Sequence, residues 1–67
     1  MKVLINGKET IIPDGSTVNA LLHSLEIATD TPIAVAVNNN VIERAEWEAV
    51  VIKEDDNIII ISAICGG

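Results

Sequence analysis

Cysteine and aromatic residues are almost absent from this sequence of 67 residues. Cys65 is the only cysteine, so no internal disulfide can form, and one cysteine with one histidine cannot build a metal cluster. Trp47 is the only aromatic residue, and we expect its ring to pack over one end of the core. The rest of that core must be aliphatic.

Basic residues are scarce as well, since ten acidic residues stand against four basic ones and the formal net charge is −6. Nucleic acid and anionic membrane surfaces would repel such a protein, and we expect neither as a partner. A protein partner with a basic surface fits better, because complementary charge speeds association.

Long apolar runs are missing too. The sequence shows neither a signal peptide nor a membrane span, so we expect a cytoplasmic protein that is monomeric when free. A chain of 67 residues makes at most one domain, 1–67, and such a domain buries only about 60% of the surface that its unfolded chain exposes. A hydrophobic content of 49% compensates for this small core, and its many β-branched residues favour strands.

Turn and capping residues divide the first half of the chain into a hairpin and a helix. Asn6-Gly7 between the apolar runs KVLIN and KETIIP is typical of a β-hairpin. Ser16 or Thr17 then caps a helix that we expect to run to about Ile27, before a break at 29–32. The apolar residues of this helix recur at the spacing of one helical face: Val18, Leu21, Leu22 and Leu25.

The second half of the chain predicts further strands. The segment 33–37 (IAVAV) forms a third strand, the three asparagines at 38–40 form a turn, and the segment 41–42 forms a short strand. An irregular or single-turn helical segment around Trp47 and an acidic turn precede the last strand, NIIIISAI. The predicted fold class is therefore α+β, with a mixed sheet of four to five strands and one main helix on one face.

Few residues suggest catalytic chemistry. His23 has no partner at a useful spacing and is expected to be solvated. Asp55 and Asp56 resemble a carboxylate pair, but adjacent residues in a turn usually point apart, so we expect solvated turn residues. Cys65 fits best as a small hydrophobe. Its thiol could reach the Gly67 carboxyl carbon only through a strained ring, which disfavours an internal thioester.

The remaining feature is the end of the sequence, where Gly66 and Gly67 directly follow an apolar strand. Terminal glycines often simply fray. However, a flexible tail at 65–67 is also thin enough to thread a narrow channel and present an ionised carboxylate to an enzyme. That carboxylate needs activation, for example as an acyl-adenylate, and the protein would then be a carried group without catalytic residues of its own.

Several segments together resemble the ThiS family of bacterial sulfur carriers. They are the first hairpin, the leucine-rich helix, AVAVNNNVIERAEW, the acidic turn, the strand NIIIISAI and the final Gly-Gly. The resemblance runs along nearly the whole chain. Two positions depart from the family pattern: Glu43 stands where a proline often precedes Arg44, and Cys65 stands where a small residue is common.

This resemblance implies a ubiquitin-like β-grasp fold and a protein cosubstrate that is not itself an enzyme. Gly67 would be adenylated by a ThiF-like enzyme that uses ATP, and would then be converted to a thiocarboxylate with sulfur from a donor. The carrier itself would bind no cofactor and no metal. A ThiG-like thiazole synthase would receive the sulfur during thiamine biosynthesis, and Gly66 corresponds to the other glycine of the family's tail.

Three alternatives stay open. The small subunit of molybdopterin synthase shares the fold and the Gly-Gly end, but it is usually longer and often has prolines before its tail, which SAICGG lacks. Other ThiS-like carriers feed other sulfur pathways. A ubiquitin-like binding module would transfer no sulfur at all.

The resemblance also orients the last strand. Side chains alternate along a strand, and the ubiquitin-like fold places Ile58 and Ile60 in the core. The opposite face, which includes Ala34 and Ala36, then forms an aliphatic surface that leads to the tail and is bordered by acidic residues. The predicted partner-binding residues on this face are Leu4, Ile59, Ile61 and Ala63.

Overall fold

The computed structural model describes residues 1–27 and 32–62. The predictions for Ala63, Cys65, Gly66 and Gly67 lie outside the described residues, as does most of the break expected at 29–32. Within the described ranges, no helix has the length and hydropathy that a membrane crossing requires.

Five strands among these described residues form one mixed sheet in the order β2-β1-β5-β3-β4. The central strand β5 is parallel to β1 and antiparallel to β3, and two antiparallel hairpins complete the sheet. The predicted α+β, β-grasp arrangement is therefore confirmed. The elements are β1 (Lys2–Ile5), β2 (Lys8–Ile11), α1 (Val18–Ser24), β3 (Ile33–Val37), β4 (Asn40–Ile42), a 3-10 turn (Arg44–Glu46) and β5 (Asn57–Ser62).

Two-residue turns join both hairpins, and asparagine makes each of them possible. Asn6 and Gly7 have φ angles of 51° and 83°, while Asn38 and Asn39 have φ angles of 51° and 71°. Positive φ at both central positions gives a turn whose twist matches that of the flanking strands. Asparagine and glycine adopt this conformation at the lowest cost. Asn40, which the sequence placed in the turn, is already the first residue of β4.

The helix α1 begins where the sequence predicts. The Thr17 hydroxyl caps it by accepting a hydrogen bond from the Ala20 amide at 3.1 Å. The Ser16 hydroxyl instead donates to the Pro13 carbonyl oxygen at 2.6 Å, which ties down the preceding turn. Of the two predicted caps, Thr17 is therefore the one that satisfies a free amide of the helix.

The end of α1 comes earlier than predicted, at Ser24 rather than at Ile27. The cause is Glu26, which takes a left-handed conformation with φ of 59°. The amides of Glu26 and Ile27 donate to the carbonyl oxygens of His23 and Leu22, each at 3.0 Å. This pairing is a Schellman motif, which satisfies the last carbonyl groups while the chain leaves the helix.

The core lies between α1 and one face of the sheet. Ile58 is fully buried, and Ile60 packs against the core from a partly buried position, so the predicted orientation of β5 is confirmed. The buried residues come from the sheet, the helix and the segments that close the two ends: Val3, Ile5, Ile12, Val18, Leu21, Leu22, Val35, Val37, Trp47, Ile52 and Ile58.

Trp47 closes one end of this core, as predicted. Its side chain is only 3% exposed, and its indole N–H donates to the Ile42 carbonyl oxygen at 3.1 Å. The Arg44 guanidinium lies over the ring, with its central carbon 4.6 Å from the ring centroid, a favourable cation–π arrangement. The Arg44-x-x-Trp47 pattern therefore acts as a packing unit.

Candidate functional site

The described part of the predicted site is the face of the sheet opposite to α1. Three of the predicted partner-binding residues, Leu4, Ile59 and Ile61, lie on this face, because they alternate with core residues of their strands. Ala63 and the tail with Gly67 lie outside the described residues. The chain continues toward this tail from the central strand of the sheet.

On this face, cross-strand pairing between β3 and β5 places each isoleucine of β5 opposite a short alanine side chain of β3. Ala36 lies opposite Ile59, and Ala34 lies opposite Ile61. Because alanine is short, Ile61 remains 59% exposed and Ile59 is half-buried. Leu4 adds a further apolar side chain from β1, with 36% of its surface exposed.

Two apolar residues on the edge strands β4 and β2, which were not predicted from the sequence, extend this surface to both edges of the sheet. Val41 lies opposite Ala36, and Ile11 lies opposite Lys2. Val41 and Ile11 are each 74% exposed. The turns could have revealed them, because a two-residue turn fixes the register of its hairpin and hence the face of each residue. We term these side chains the outer patch: Leu4, Ile11, Ala34, Ala36, Val41, Ile59 and Ile61.

Carboxylates border the outer patch. Glu9 lies opposite Leu4, and its carboxylate is 3.7 Å from the Lys2 ammonium. Both side chains of this ion pair are largely exposed, so it contributes little to stability. The exposed Glu54 also lies beside β1, where its carboxylate accepts a hydrogen bond from the Lys2 amide at 3.3 Å. With a net charge of −6, this surface favours a partner that surrounds an apolar contact with basic residues.

The Asp55-Asp56 pair is part of a structural turn, which confirms its interpretation from the sequence. The Asp56 carboxylate accepts hydrogen bonds from the Lys53 amide at 2.8 Å and from the Asn38 side-chain amide at 2.9 Å. Asp55 takes a left-handed conformation with φ of 67°. Since the oxygens of Asp56 are used to connect two loops, these carboxylates do not form a paired acid and base.

Within residues 1–27 and 32–62, the surface offers a partner a face rather than a cleft. This part of the chain has no pocket, and no three of its histidine, aspartate and glutamate side chains lie together as metal ligands would. His23 is exposed on α1, as predicted. The geometry of the described residues suits contact with another protein.

Comparison with protein families gives a match to the ThiS family over residues 3–67. The sulfur carrier protein ThiS of Escherichia coli is 28% identical over 67 residues, which covers all of both chains. A thiazole synthase of Magnetococcus marinus is 37% identical over the whole of this chain. The chain spans only about one fifth of that protein's length, a share of 20%.

The fold is also similar to that of a solved relative. The crystal structure of the thiamine biosynthesis protein ThiS from Geobacter metallireducens superposes with a TM-score of 0.85 at 28% identity, and the match covers all of both chains. A solution structure of a thiamine biosynthesis protein from the same organism gives a TM-score of 0.83 and is covered over 88% of its length.

Proposed function

Because the chain belongs to the ThiS family of sulfur carrier proteins, we propose that it carries sulfur on Gly67 for thiazole formation in thiamine biosynthesis. The observation that supports this most strongly is the family match, which extends through Gly66 to Gly67. The match to the Escherichia coli sulfur carrier protein ThiS, at 28% identity over all of both chains, supports the same role.

The chemistry follows from the poor reactivity of a carboxylate. A ThiF-like enzyme transfers AMP from ATP to a carboxylate oxygen of Gly67, and pyrophosphate leaves. Sulfide released from a donor then attacks the activated carbonyl carbon and expels AMP together with that oxygen. The product is a thiocarboxylate, in which sulfur has replaced one oxygen. ATP and the sulfur donor are substrates of the partner enzyme, and the carrier supplies only the acyl group.

A ThiG-like thiazole synthase receives the sulfur. The similarity to a region within a protein named thiazole synthase supports this assignment, since that region matches the whole of this chain at 37% identity. A covalent linkage between a carrier and the enzyme that consumes its sulfur raises their effective concentration, which favours their contact.

The outer patch is the surface that docks on the ThiF-like enzyme. Its exposed aliphatic side chains, Ile61 above all, lie on the strand from which the chain continues toward Gly67. Burying them removes apolar surface from water, while the bordering carboxylates meet basic residues of the enzyme. Docking through a face of the sheet leaves the tail free to enter the active site of the enzyme.

Intact mass spectrometry tests the proposed function. The full chain is incubated with a ThiF-type enzyme, ATP and a sulfur donor, and its mass should rise by the difference between sulfur and oxygen, located at Gly67 by fragmentation. A persulfide on Cys65 would instead add a whole sulfur atom, so the two modifications differ in mass. Absence of any ATP-dependent gain at Gly67 would contradict the proposal.

A matched control uses the same chain with one alanine added after Gly67. This variant retains every described residue, so its fold should be unchanged. It should gain no sulfur, because its terminal carboxylate now belongs to another residue and is displaced from the reactive position.

A further inference from the structure

The strand β5 is held by β1 over only part of its length. It runs over Asn57–Ser62, but its residue pairing with β1 is limited to Asn57 and Ile58, because β1 ends at Ile5. On its other side, β3 pairs with every residue from Ile58 to Ser62. Beyond Ile58, the β1 side of β5 therefore has no backbone partner among residues 1–27 and 32–62.

The side chain of Asn6 occupies this place. Its Nδ2 donates to the Ile60 carbonyl oxygen at 3.2 Å, and its Oδ1 accepts from the Ile60 amide at 2.9 Å. An asparagine side chain carries one amide donor group and one carbonyl acceptor, as a peptide unit does. The backbone amide of Asn6 still donates to the Ile58 carbonyl oxygen at 2.9 Å, and the side chain extends this hydrogen-bond ladder by one further step to Ile60.

Asn38 makes comparable contacts at the opposite end of β5. Its Oδ1 accepts from the Asn57 amide at 2.9 Å, and its Nδ2 donates to the Asp56 carboxylate at 2.9 Å. Asn6 and Asn38 share the same turn position and the same φ of 51°. They differ in which end of β5 they hold, since Asn38 lies at its start and Asn6 lies near the end that continues to the tail.

We propose that Asn6 is a positioning residue for sulfur transfer. By holding Ile60 on the side where β1 has ended, it fixes the direction in which the chain leaves the sheet toward Gly67. An enzyme that binds the carrier then meets a preorganised strand and does not have to order it on binding. This inference rests on the proposed function, because it assigns Asn6 a role in presenting the tail.

Two glycine variants form a matched test. Glycine keeps the left-handed turn conformation, so Asn6→Gly and Asn38→Gly each remove two side-chain hydrogen bonds and spare the hairpin. In the free protein with Asn6→Gly, NMR order parameters of the Ile61 and Ser62 amides should fall below about 0.6, the range of flexible backbone. With Asn38→Gly they should stay near the value of about 0.85 for rigid backbone.

Steady-state kinetics with the ThiF-like enzyme give the functional half of the test. In Asn6→Gly the strand must be ordered on binding, which weakens binding of the carrier equally in the ground state and in the transition state. KM for the carrier should therefore rise about tenfold, while kcat stays within about twofold. Asn38→Gly should leave both within about twofold of the original protein. Asn6→Asp, which keeps the acceptor for the Ile60 amide, should give an intermediate KM.

Equal KM values for Asn6→Gly and Asn38→Gly overturn the proposal, as does an unchanged order parameter at Ile61 in Asn6→Gly. Failure of the proposed function can be distinguished from failure of this inference, because in that case the unaltered carrier would gain no sulfur at all. In that case the order parameters, which need no enzyme, still decide whether Asn6 fixes the end of β5.

Discussion

Replacing Ile61 by aspartate should weaken binding of the carrier to its activating enzyme while the domain stays folded. The side chain of Ile61 belongs to the outer patch and is 59% exposed in the free protein. Complete burial of an isoleucine side chain contributes about 1.5–3 kcal/mol, so roughly 1–2 kcal/mol remains to be gained when a partner covers Ile61.

That gain corresponds to a factor of roughly 5–30 in Kd. Aspartate loses the gain and also places a carboxylate in a contact that excludes water, which adds a desolvation penalty. The expected result is a loss of affinity of at least about tenfold. Because the side chain faces solvent in the free protein, the free energy of unfolding should fall by only about 1 kcal/mol, the range of strand propensities.

Ile58→Asp should instead unfold the domain. Ile58 is 0% exposed, and truncating a buried isoleucine alone costs about 2–5 kcal/mol. A buried carboxylate without a partner adds further cost. A domain of this size has a total stability of about 3–10 kcal/mol, so the variant should be unfolded at room temperature.

Isothermal titration calorimetry with the ThiF-like enzyme and thermal melts followed by circular dichroism measure the two effects. Leu4→Asp and Leu25→Asp provide a control matched in residue type and exposure, since the leucines are 36% and 38% exposed. Leu4 lies in the outer patch and Leu25 at the end of α1, so only Leu4→Asp should reduce affinity. Unchanged binding by Ile61→Asp would refute the docking surface, and an unfolded Ile61→Asp beside a folded Ile58→Asp would invert the assignment of faces.

One extension and two substitutions test other parts of the molecule. Adding one residue after Gly67 should abolish sulfur transfer with little change in Tm; transfer at the original rate would show that Gly67 is not the reactive end. Cys65→Ala should keep most of the transfer, because an internal thioester is strained, whereas complete loss with an intact circular dichroism spectrum would assign the thiol a direct role. Glu26→Gly should stabilise the domain by about 0.5–1 kcal/mol, because glycine adopts the left-handed conformation at the end of α1 without strain. A lower Tm than that of the original protein would contradict this, and Ser24→Gly within the helix serves as a destabilising control.

Local patterns in the sequence determined much of the fold. Asn6-Gly7 and the three asparagines at 38–40 predicted both hairpin turns, since few residues accept positive φ. The spacing of Val18, Leu21 and Leu22 predicted the buried face of α1, whereas Leu25, which was expected on the same face, is exposed. These features depend on the conformational preferences of a few adjacent residues, so they can be recognised before any tertiary contact is known.

The tertiary structure alone decided where the local patterns end and which distant residues meet. The helical pattern continues past Ser24, but Glu26 takes a left-handed conformation that ends α1, and Ile27 beyond it packs against the core. The hydrogen bonds between Asn6 and Ile60 connect residues 54 positions apart. In the sequence, both hairpin turns begin with an asparagine, so the sequence does not distinguish the contacts of Asn6 from those of Asn38. Which strand lies beside each turn depends on the order of strands in the sheet, because only the assembled sheet brings β5 between the two hairpins.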